Sequence, residues 1–479
     1  MKKMPLLWVA CGIVLFLCLH LAIPIISAAQ TPNVANRLQT LVKADQLYLA
    51  GDTAGAEKLY RQVKTPFPQK TATSKLPEPI TDPEQLSGAG RVYWRNATEG
   101  MQQGLTSKIF VPLQMLLERH PEFTPAYTLY AEATKKYGDK KDILPVLERA
   151  ISIFPQSAEL NQALIKTQQE AEQWLEASIT ARQFAMTYPD HPQAEEFTSI
   201  AENNFNRFRS QLNQQVVSQG IVGAAIGILT GNANLQAVKL APLLLQGESA
   251  MGAQVAAAYK QQSTLIEDPT IVEYVSRIGN NIANLMGRND FDYEFNVILD
   301  DSLNAFALPG GKVFVNTGAI MALNSEAELA GLLGHEVGHA VLSHGFDRIT
   351  NANLLGNIGQ IIPFGNLIST LAILDYSRQQ ETQADVVGTR VLAGAGYAAD
   401  GLRNFFATIK QQEKGRTIPA YLSTHPASQD RIRYLEEIIE RNGYNRYAFE
   451  GVQTHKEIQA RLEQILEESK QQEDEIVQE

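Results

Sequence analysis

The pattern of apolar and polar residues changes several times along the chain, and the first change falls within the first hundred residues. Apolar residues recur at helical spacing on both sides of Gly51 and Asp52, at Ala44, Leu47, Tyr48, Ala56, Leu59 and Tyr60. This spacing predicts a helical pair over 30–64 with its turn at Gly51. Prolines in a polar setting follow, at Pro66, Pro68, Pro77, Pro79 and Pro83. They predict a proline-rich linker over 65–103.

A helical pattern with a countable period comes next. Pro121, Pro155 and Pro189 are spaced 34 residues apart, and each follows an amphipathic stretch. A period of this length is typical of tetratricopeptide repeats, so we predict tetratricopeptide-like helical repeats over 104–215. The motif match is partial, and the alternative is a plain helical bundle with prolines at its loop entries. Either arrangement would offer a helical surface to protein partners.

Glycines then interrupt an apolar stretch, at Gly220, Gly223, Gly227 and Gly231. We interpret 216–245 as glycine-rich connecting helices that join two domains. The alternative is a flap that faces a membrane surface or a substrate.

Helical and strand patterns mix from 246 to 450. Residues Tyr293 to Leu299 alternate as a strand does, and the segments 305–308 and 313–316 flank a Pro-Gly-Gly-Lys turn, which predicts a hairpin. Residues 451–479 predict a charged, solvated C-terminal helix. The fold class expected is therefore α+β and mainly helical, with an N-terminal α-solenoid before a domain that holds a small β-sheet.

The N-terminus has the pattern of an export signal. Two lysines precede an apolar run from Leu6 to Ile26, and the small residues Ser27, Ala28 and Ala29 follow. We interpret 1–29 as a signal peptide or a retained N-terminal anchor, which could associate with a membrane. Both cysteines lie inside this segment, so the exported part would form no disulfide. The net charge of −11 argues against nucleic acid as a partner, because phosphate binding needs a basic surface.

The candidate chemistry begins with an H-E-x-x-H pattern made by His335, Glu336 and His339. The surrounding apolar residues predict a helix, and Ser325 with Glu328 predicts a capping box at its start. Four residues turn a helix about 40° beyond one full turn, so both imidazoles lie on one face where one metal can bind them. Glu336 lies about 100° round from His335, where it can reach a water at the metal without being a ligand.

A third ligand has to come from elsewhere in the chain. The metzincin class is excluded, because its third histidine and its glycine would stand where Gly345 and Leu342 are. A second helix offers Glu381 and Asp385, again four residues apart. We expect Glu381 to ligate the metal and Asp385 to accept a hydrogen bond from the far nitrogen of a ligating histidine, in the first instance His335. The alternative for both carboxylates is an exposed charge pair on a helix; if Glu381 fails, His344 or His425 is the next candidate.

Five ordered motifs now support a family resemblance. Residues 246–450 resemble the gluzincin metallopeptidases that include the CAAX prenyl endopeptidase, the membrane peptidase HtpX and the periplasmic β-barrel assembly-enhancing protease. The matching pieces are the segments 304–311, 328–330, 335–344, 376–385 and 423–431. The catalytic region lacks the transmembrane helices of the integral-membrane members, and the repeats precede the peptidase instead of following it. We therefore do not expect a prenylated protein as substrate.

The resemblance implies a zincin-like metallopeptidase domain with one Zn²⁺ per chain, in which Glu336 acts as general base on the zinc-bound water. It also implies that Arg431 or His425 helps to stabilise the oxyanion, and that Asn304 and Ala305 pair with an extended substrate strand. The loop of His425 would lie over the zinc. Three alternatives stay open for this residue: a fourth ligand that keeps the enzyme latent, which we favour, a transition-state stabiliser, or an ordinary polar residue.

The function predicted from these observations is that of an exported zinc metalloendopeptidase. It would hydrolyse peptide bonds in unfolded or misassembled envelope proteins, in the bacterial periplasm or at the outer face of the inner membrane. Its partners would be protein or peptide substrates and proteins bound by the helical repeats. The alternative is a non-catalytic chaperone or assembly scaffold with a structural zinc; a zinc hydrolase of small molecules is a third. A structural site needs no general base, so Glu336 favours the peptidase.

Overall fold

The computed structural model describes residues 34–67, 79–138, 143–211, 247–348, 376–412, 420–425 and 429–478. The export segment predicted for 1–29 and the connecting helices predicted for 216–245 lie outside these ranges. Within them, no helix combines the length and the apolar character needed to cross a bilayer.

Two N-terminal helices, α1 (Val34–Leu49) and α2 (Thr53–Val63), pack on each other. The side chain of Asp52 caps α2 by accepting a hydrogen bond from the backbone N–H of Gly55. The linker predicted over 65–103 is wrong from residue 88 onward, because α3 (Gly88–Gln103) is a regular helix. The proline run ends before this point, and Ser87 caps the new helix with its hydroxyl.

The middle of the described chain is a succession of helices: α4 (Thr106–Arg119), α5 (Pro125–Tyr137), α6 (Leu144–Ile153), α7 (Ala158–Glu170), α8 (Trp174–Thr187) and α9 (194–211). Pro121, Pro155 and Pro189 lie just after α4, α6 and α8, so the 34-residue spacing spans two helices. The assignment of these helices as tetratricopeptide repeats stays a prediction. We call α4–α9 the helical region.

A three-stranded sheet follows α10 (Glu248–Lys260) and α11 (Pro269–Ala283). Its strands are β1 (Glu294–Ile298), β2 (Ala305–Leu308) and β3 (Lys312–Asn316), in the order β1-β3-β2. β2 and β3 pair antiparallel, which confirms the hairpin, while β1 pairs parallel with β3. Gly310 and Gly311 both have positive φ in the turn, a conformation that glycine adopts without the Cβ clash of other residues.

The helix that follows α12 (Thr317–Ala322) is the centre of residues 246–450, which we call the peptidase region after the sequence prediction. All 16 residues of α13 (Glu326–Val341) are buried, including its charged and imidazole side chains. It packs against α11 and β2, and on its other sides against α14 (Arg378–Gly394) and α15 (Gly401–Gln412). A helix that is buried on every side has no face on which charged side chains can be solvated. Its polar residues therefore need hydrogen-bond partners or a function.

Three further helices complete the described chain: α16 (Ala420–Thr424), α17 (Gln429–Arg441) and α18 (Val452–Gln478). The expectation that the C-terminal helix is solvated is wrong for its first half, where Val452, His455, Ile458 and Leu462 are buried. These positions recur at helical spacing; Val452 packs against the N-terminal helices α1 and α2, while Ile458 and Leu462 lie in the core around α13.

A buried charge cluster joins the N-terminal helices to the peptidase region. Lys64, directly after α2, forms ion pairs with Asp400 and Glu450, and all three side chains are almost completely buried. The second oxygen of Glu450 accepts a hydrogen bond from the hydroxyl of Ser325 at 3.2 Å. Ser325 caps α13, so the cluster reaches the first turn of the central helix.

Candidate metal centre

The start of α13 differs in one detail from the sequence prediction. The Ser325 hydroxyl accepts a hydrogen bond from the backbone N–H of Glu328, as predicted. The Glu328 carboxylate does not complete the capping box; it accepts hydrogen bonds from the backbone and side chain of Asn324 and from the hydroxyl of Thr408. Burial raises the pKa of Glu328 to about 7.

His335 and His339 point their Nε2 atoms at the same place. These two atoms are 3.0 Å apart. The Glu381 carboxylate comes from α14, with Oε2 at 3.6 Å from His335 Nε2 and Oε1 at 3.4 Å from His339 Nε2. The structure therefore brings together the three residues that the sequence selected as ligands.

Small residues allow α14 to approach α13 closely enough for this. A Cβ added at Gly388 would lie 3.1 Å from the carbonyl carbon of Gly334 and from the backbone nitrogen of His335. A Cβ at Gly338 would lie 3.2 Å from the carbonyl oxygen of Ala384. The two backbones touch without intervening side chains, which fixes the position of Glu381 relative to both histidines.

The far nitrogen of His335 faces a buried carboxylate. His335 Nδ1 lies 3.0 Å from Asp385 Oδ1. Arg431 holds Asp385 through two hydrogen bonds, from Nε at 2.6 Å and from Nη2 at 2.8 Å, and its Nη1 lies 2.5 Å from Glu381. The guanidinium thus bridges the two carboxylates that face the histidines, which is an anchoring arrangement.

These contacts determine the charge of both carboxylates. Burial opposes their ionisation, but Arg431 outweighs it and holds the pKa of Asp385 below its usual value. For Glu381, Arg431 together with the neighbouring histidines outweighs burial and holds the pKa well below its usual value. Both groups are therefore anionic across the physiological range, as a metal ligand and its orienting partner need to be.

Sequence reasoning missed the partner of His339. His344 Nδ1 lies 2.9 Å from His339 Nδ1, and both rings are buried. Ser343, just past the end of α13, has φ of +60°, which turns the chain so that His344 returns toward the helix. Burial lowers the pKa of His344 to about 3 and that of His339 well below its usual value, so both imidazoles are neutral. The available signal was a histidine five residues beyond the motif, which the sequence analysis treated only as a reserve ligand.

His425 lies beside the ligand atoms, at the end of α16. Its Nδ1 is 2.8 Å from Glu381 Oε1 and 3.4 Å from His335 Nε2, and its Nε2 is 3.8 Å from Glu336 Oε1. The Tyr421 ring stacks on it with centroids 4.6 Å apart. Burial disfavours its charged form, yet the carboxylates of Glu381 and Glu336 raise its pKa. The neighbouring Pro426 lies outside the described residues.

The remaining member of the motif is Glu336, which is 1% exposed. Its Oε1 has no hydrogen-bond partner among the residues that the structure describes. Burial raises the pKa of this carboxyl group. A buried carboxylate oxygen without a partner is costly in free energy, so its retention next to the ligand atoms points to a chemical role.

The predicted substrate strand is in a suitable place. In the described part of the chain, β2 is one of the two edge strands of the sheet, and it packs against α13. Ala305 is its first residue, and Asn304 precedes it, with its carbonyl accepting a hydrogen bond from the backbone N–H of Asn316.

The donor set fits zinc. One ligand atom each from His335, His339, Glu381 and His425 lies within 4.8 Å of all the others. Imidazole nitrogens and a carboxylate are the ligands of zinc sites, and a neutral, buried imidazole with a hydrogen-bonded far nitrogen is their usual form. Two histidines one helical turn apart, a glutamate from a second helix and the buried carboxylate of Glu336 beside them define a zinc metallopeptidase domain.

Comparison with known proteins places this region beside a known family. Residues 271–439 match the sequence profile of Peptidase family M48. The mitochondrial metalloendopeptidase OMA1 of Schizosaccharomyces pombe is 34% identical over 177 residues, which cover 34% of this chain and 52% of the relative. The protein of the same name from Arabidopsis thaliana is 28% identical over 255 residues, 52% of each chain. The β-barrel assembly-enhancing protease of Yersinia pestis is 26% identical over 212 residues, 40% of this chain and 44% of the relative. The matched part thus spans about half the length of these relatives.

Proposed function

We propose that the protein is an exported zinc metalloendopeptidase that cuts extended segments of unfolded or misassembled envelope proteins. The observation that carries the proposal is the buried Glu336 carboxylate, whose Oε1 is without a partner among the described residues and adjoins the ligand group. The relatives are named as metalloendopeptidases and as a protease that enhances β-barrel assembly, which supports peptide bonds in proteins as the target.

His335, His339 and Glu381 would hold the ion, with Asp385 and His344 orienting the two imidazoles and Arg431 keeping Glu381 ionised. When bound, zinc supplies Lewis-acid polarisation of the scissile carbonyl and makes an attacking water more acidic. Glu336 takes the proton of that water and later delivers it to the leaving amine. Burial raises the pKa of Glu336, which favours its uptake of the proton.

The position of His425 supports the latent state favoured from the sequence. Its Nδ1 lies among the ligand atoms, where the imidazole would occupy the position that the attacking water needs. Departure of His425 would then activate the enzyme. In the competing role it stays beside this position and donates a hydrogen bond to the oxyanion. Arg431 forms ion pairs with Asp385 and Glu381. We therefore propose that it anchors these two carboxylates and does not stabilise the oxyanion.

An extended substrate would pair with β2 along Asn304 and Ala305, because the edge of a sheet offers backbone groups to another strand. Recognition through the backbone favours unfolded chains over particular side chains. The export pattern of 1–29 supports a place in the bacterial periplasm or at the outer face of the inner membrane, and the helical region would bind partner proteins.

The test is the variant Glu336→Gln, compared with wild type and with Glu440→Gln, an exposed position on α17. Zinc content per purified chain and cleavage of casein are measured for all three. We expect equal zinc in all of them and a turnover about 10²- to 10⁴-fold lower in Glu336→Gln alone, on the scale of a lost general base. Undiminished cleavage by Glu336→Gln would refute the mechanism. Zinc binding without any cleavage of unfolded proteins, in wild type and in His425→Ala alike, would favour the non-catalytic scaffold.

A further inference from the structure

Helix α8 of the helical region is connected to the metal centre through the side chain of Gln183. Gln183 Nε2 donates to the carbonyl of Leu342 at 3.3 Å, and its Oε1 accepts from Gln383 Nε2 at 3.0 Å. Gln383 Oε1 lies 3.1 Å from His344 Nε2. His344 Nδ1 in turn lies 2.9 Å from His339 Nδ1. Three hydrogen bonds therefore lead from Gln183 to His339, and a fourth ties Gln183 to Leu342 just past the end of α13.

We call the hydrogen-bonded residues Gln183, Gln383, His344 and His339 the relay. The donor and the acceptor of each bond in it follow from the Leu342 carbonyl, which Gln183 also contacts. The Leu342 carbonyl can only accept, so the amide nitrogen of Gln183 faces it and the amide oxygen faces Gln383. Gln383 must then present its nitrogen to Gln183 and its oxygen to His344. An amide oxygen only accepts, which places a proton on His344 Nε2.

The relay thereby sets the tautomer of the ligand. A neutral imidazole with a proton on Nε2 has its lone pair on Nδ1, so His344 accepts a hydrogen bond from His339 Nδ1. The lone pair of His339 then lies on Nε2, the atom that faces His335 and Glu381. Metal binding requires this unprotonated nitrogen.

Helix α8 is held firmly at this position by neighbouring contacts. Arg182, the residue before Gln183, donates to the Ser343 hydroxyl at 2.8 Å, and Ser343 donates to Glu248 at 2.6 Å. Arg390 on α14 donates to the carbonyl of Thr187 at the end of α8. Gln183 is thus presented to Gln383 by a docked helix.

We propose that Gln183 is a positioning residue for the zinc ligand His339 and acts through Gln383 and His344. The helical region is then part of the metal centre as well as a surface for other proteins. The inference rests on the proposed function only in that the ligand group binds zinc.

The test measures zinc affinity of the full chain by competition with a chelator, together with the visible spectrum of the Co²⁺-substituted protein. Gln183→Met keeps the length of the side chain and removes both hydrogen bonds. We expect it to bind zinc about tenfold more weakly, the lower end of the effect of groups that orient metal ligands, and to shift the Co²⁺ spectrum. Gln383→Met breaks the same series of hydrogen bonds. The variant that carries both substitutions should therefore have the same zinc affinity as the single variant with the larger loss.

The matched control is Gln168→Met, which removes a buried hydrogen bond between α7 and Thr180 of α8 but lies outside the relay. It should bind zinc as wild type does. Equal affinities of Gln183→Met and Gln168→Met, or additive losses in the double variant, would overturn the inference. Should Gln183→Met fail to fold, Gln183→Asn, whose amide is one methylene short, decides the question in the same assay. Absence of zinc from wild type would instead refute the proposed function.

Discussion

The close contact between α13 and α14 yields a quantitative prediction for Gly388→Ala. The new Cβ would lie 3.1 Å from backbone atoms of Gly334 and His335, and neither neighbour can rotate away. The helices must part by a few tenths of an ångström, and overpacking of this kind costs about 1–3 kcal/mol. Replacing a helical glycine by alanine returns about 1 kcal/mol. The expected net loss of stability is therefore about 0–2 kcal/mol.

The loss of zinc affinity should be more pronounced than the loss of stability, because Glu381 moves with α14 while both histidines stay on α13. Metal–ligand distances tolerate only about 0.2 Å, so we expect zinc to bind at least about tenfold more weakly. The control is Gly394→Ala on the same helix, where the new Cβ meets only a Leu285 methyl group at an ordinary 3.6 Å. Chelator competition and thermal unfolding of both variants provide the comparison. Zinc affinity as high in Gly388→Ala as in Gly394→Ala would refute the argument that backbone contact sets the ligand geometry.

Three further predictions concern side chains of the centre and of its supporting helix. Alanine substitution of His335, His339 or Glu381 should abolish stoichiometric zinc in metal analysis, whereas Asp385→Asn should weaken zinc binding about 10- to 100-fold. Retained zinc in Glu381→Ala would remove Glu381 from the ligand set. His425→Ala should raise basal peptide hydrolysis at saturating zinc if the imidazole blocks the water position, and a lower rate would show the stabilising role instead. Glu328 binds its proton up to about pH 7 in the folded protein but only up to about 4.5 when unfolded, so it lowers stability as pH rises through this window. The Tm of Glu328→Gln should therefore rise relative to that of wild type as the pH increases from about 5 to about 8. A constant Tm difference would contradict the raised pKa of Glu328.

The ligand arrangement could be predicted from the sequence because each element carries its own local signal. His335 and His339 share one helical face by their spacing alone, and Glu381 and Asp385 do so on a second helix. The hairpin around Gly310 follows in the same way from a turn between two apolar segments.

Other features depend on contacts between distant segments, which no local pattern contains. The bond from Gln183 to Gln383 joins residues 200 positions apart, and neither glutamine stands out in the sequence. The orienting role of His344 depends on the positive φ of Ser343, and serine gives little indication of such a turn. The resemblance offers Arg431 or His425 for the oxyanion, because a sequence motif does not show which carboxylates surround a buried guanidinium.

The cluster around Lys64 has a consequence for the order in which the protein can assemble as it is synthesised. Its partners Asp400 and Glu450 are added 336 and 386 residues later, and Glu450 also bonds the serine that caps the central helix. At about 5–20 residues per second, roughly 20–80 seconds of translation separate Lys64 from Glu450. Until then the lysine lacks the two carboxylates that it pairs with in the folded protein, and the helix that bears both histidines lacks part of its support. The candidate metal centre is thus completed only late in synthesis, when most of the chain has been made.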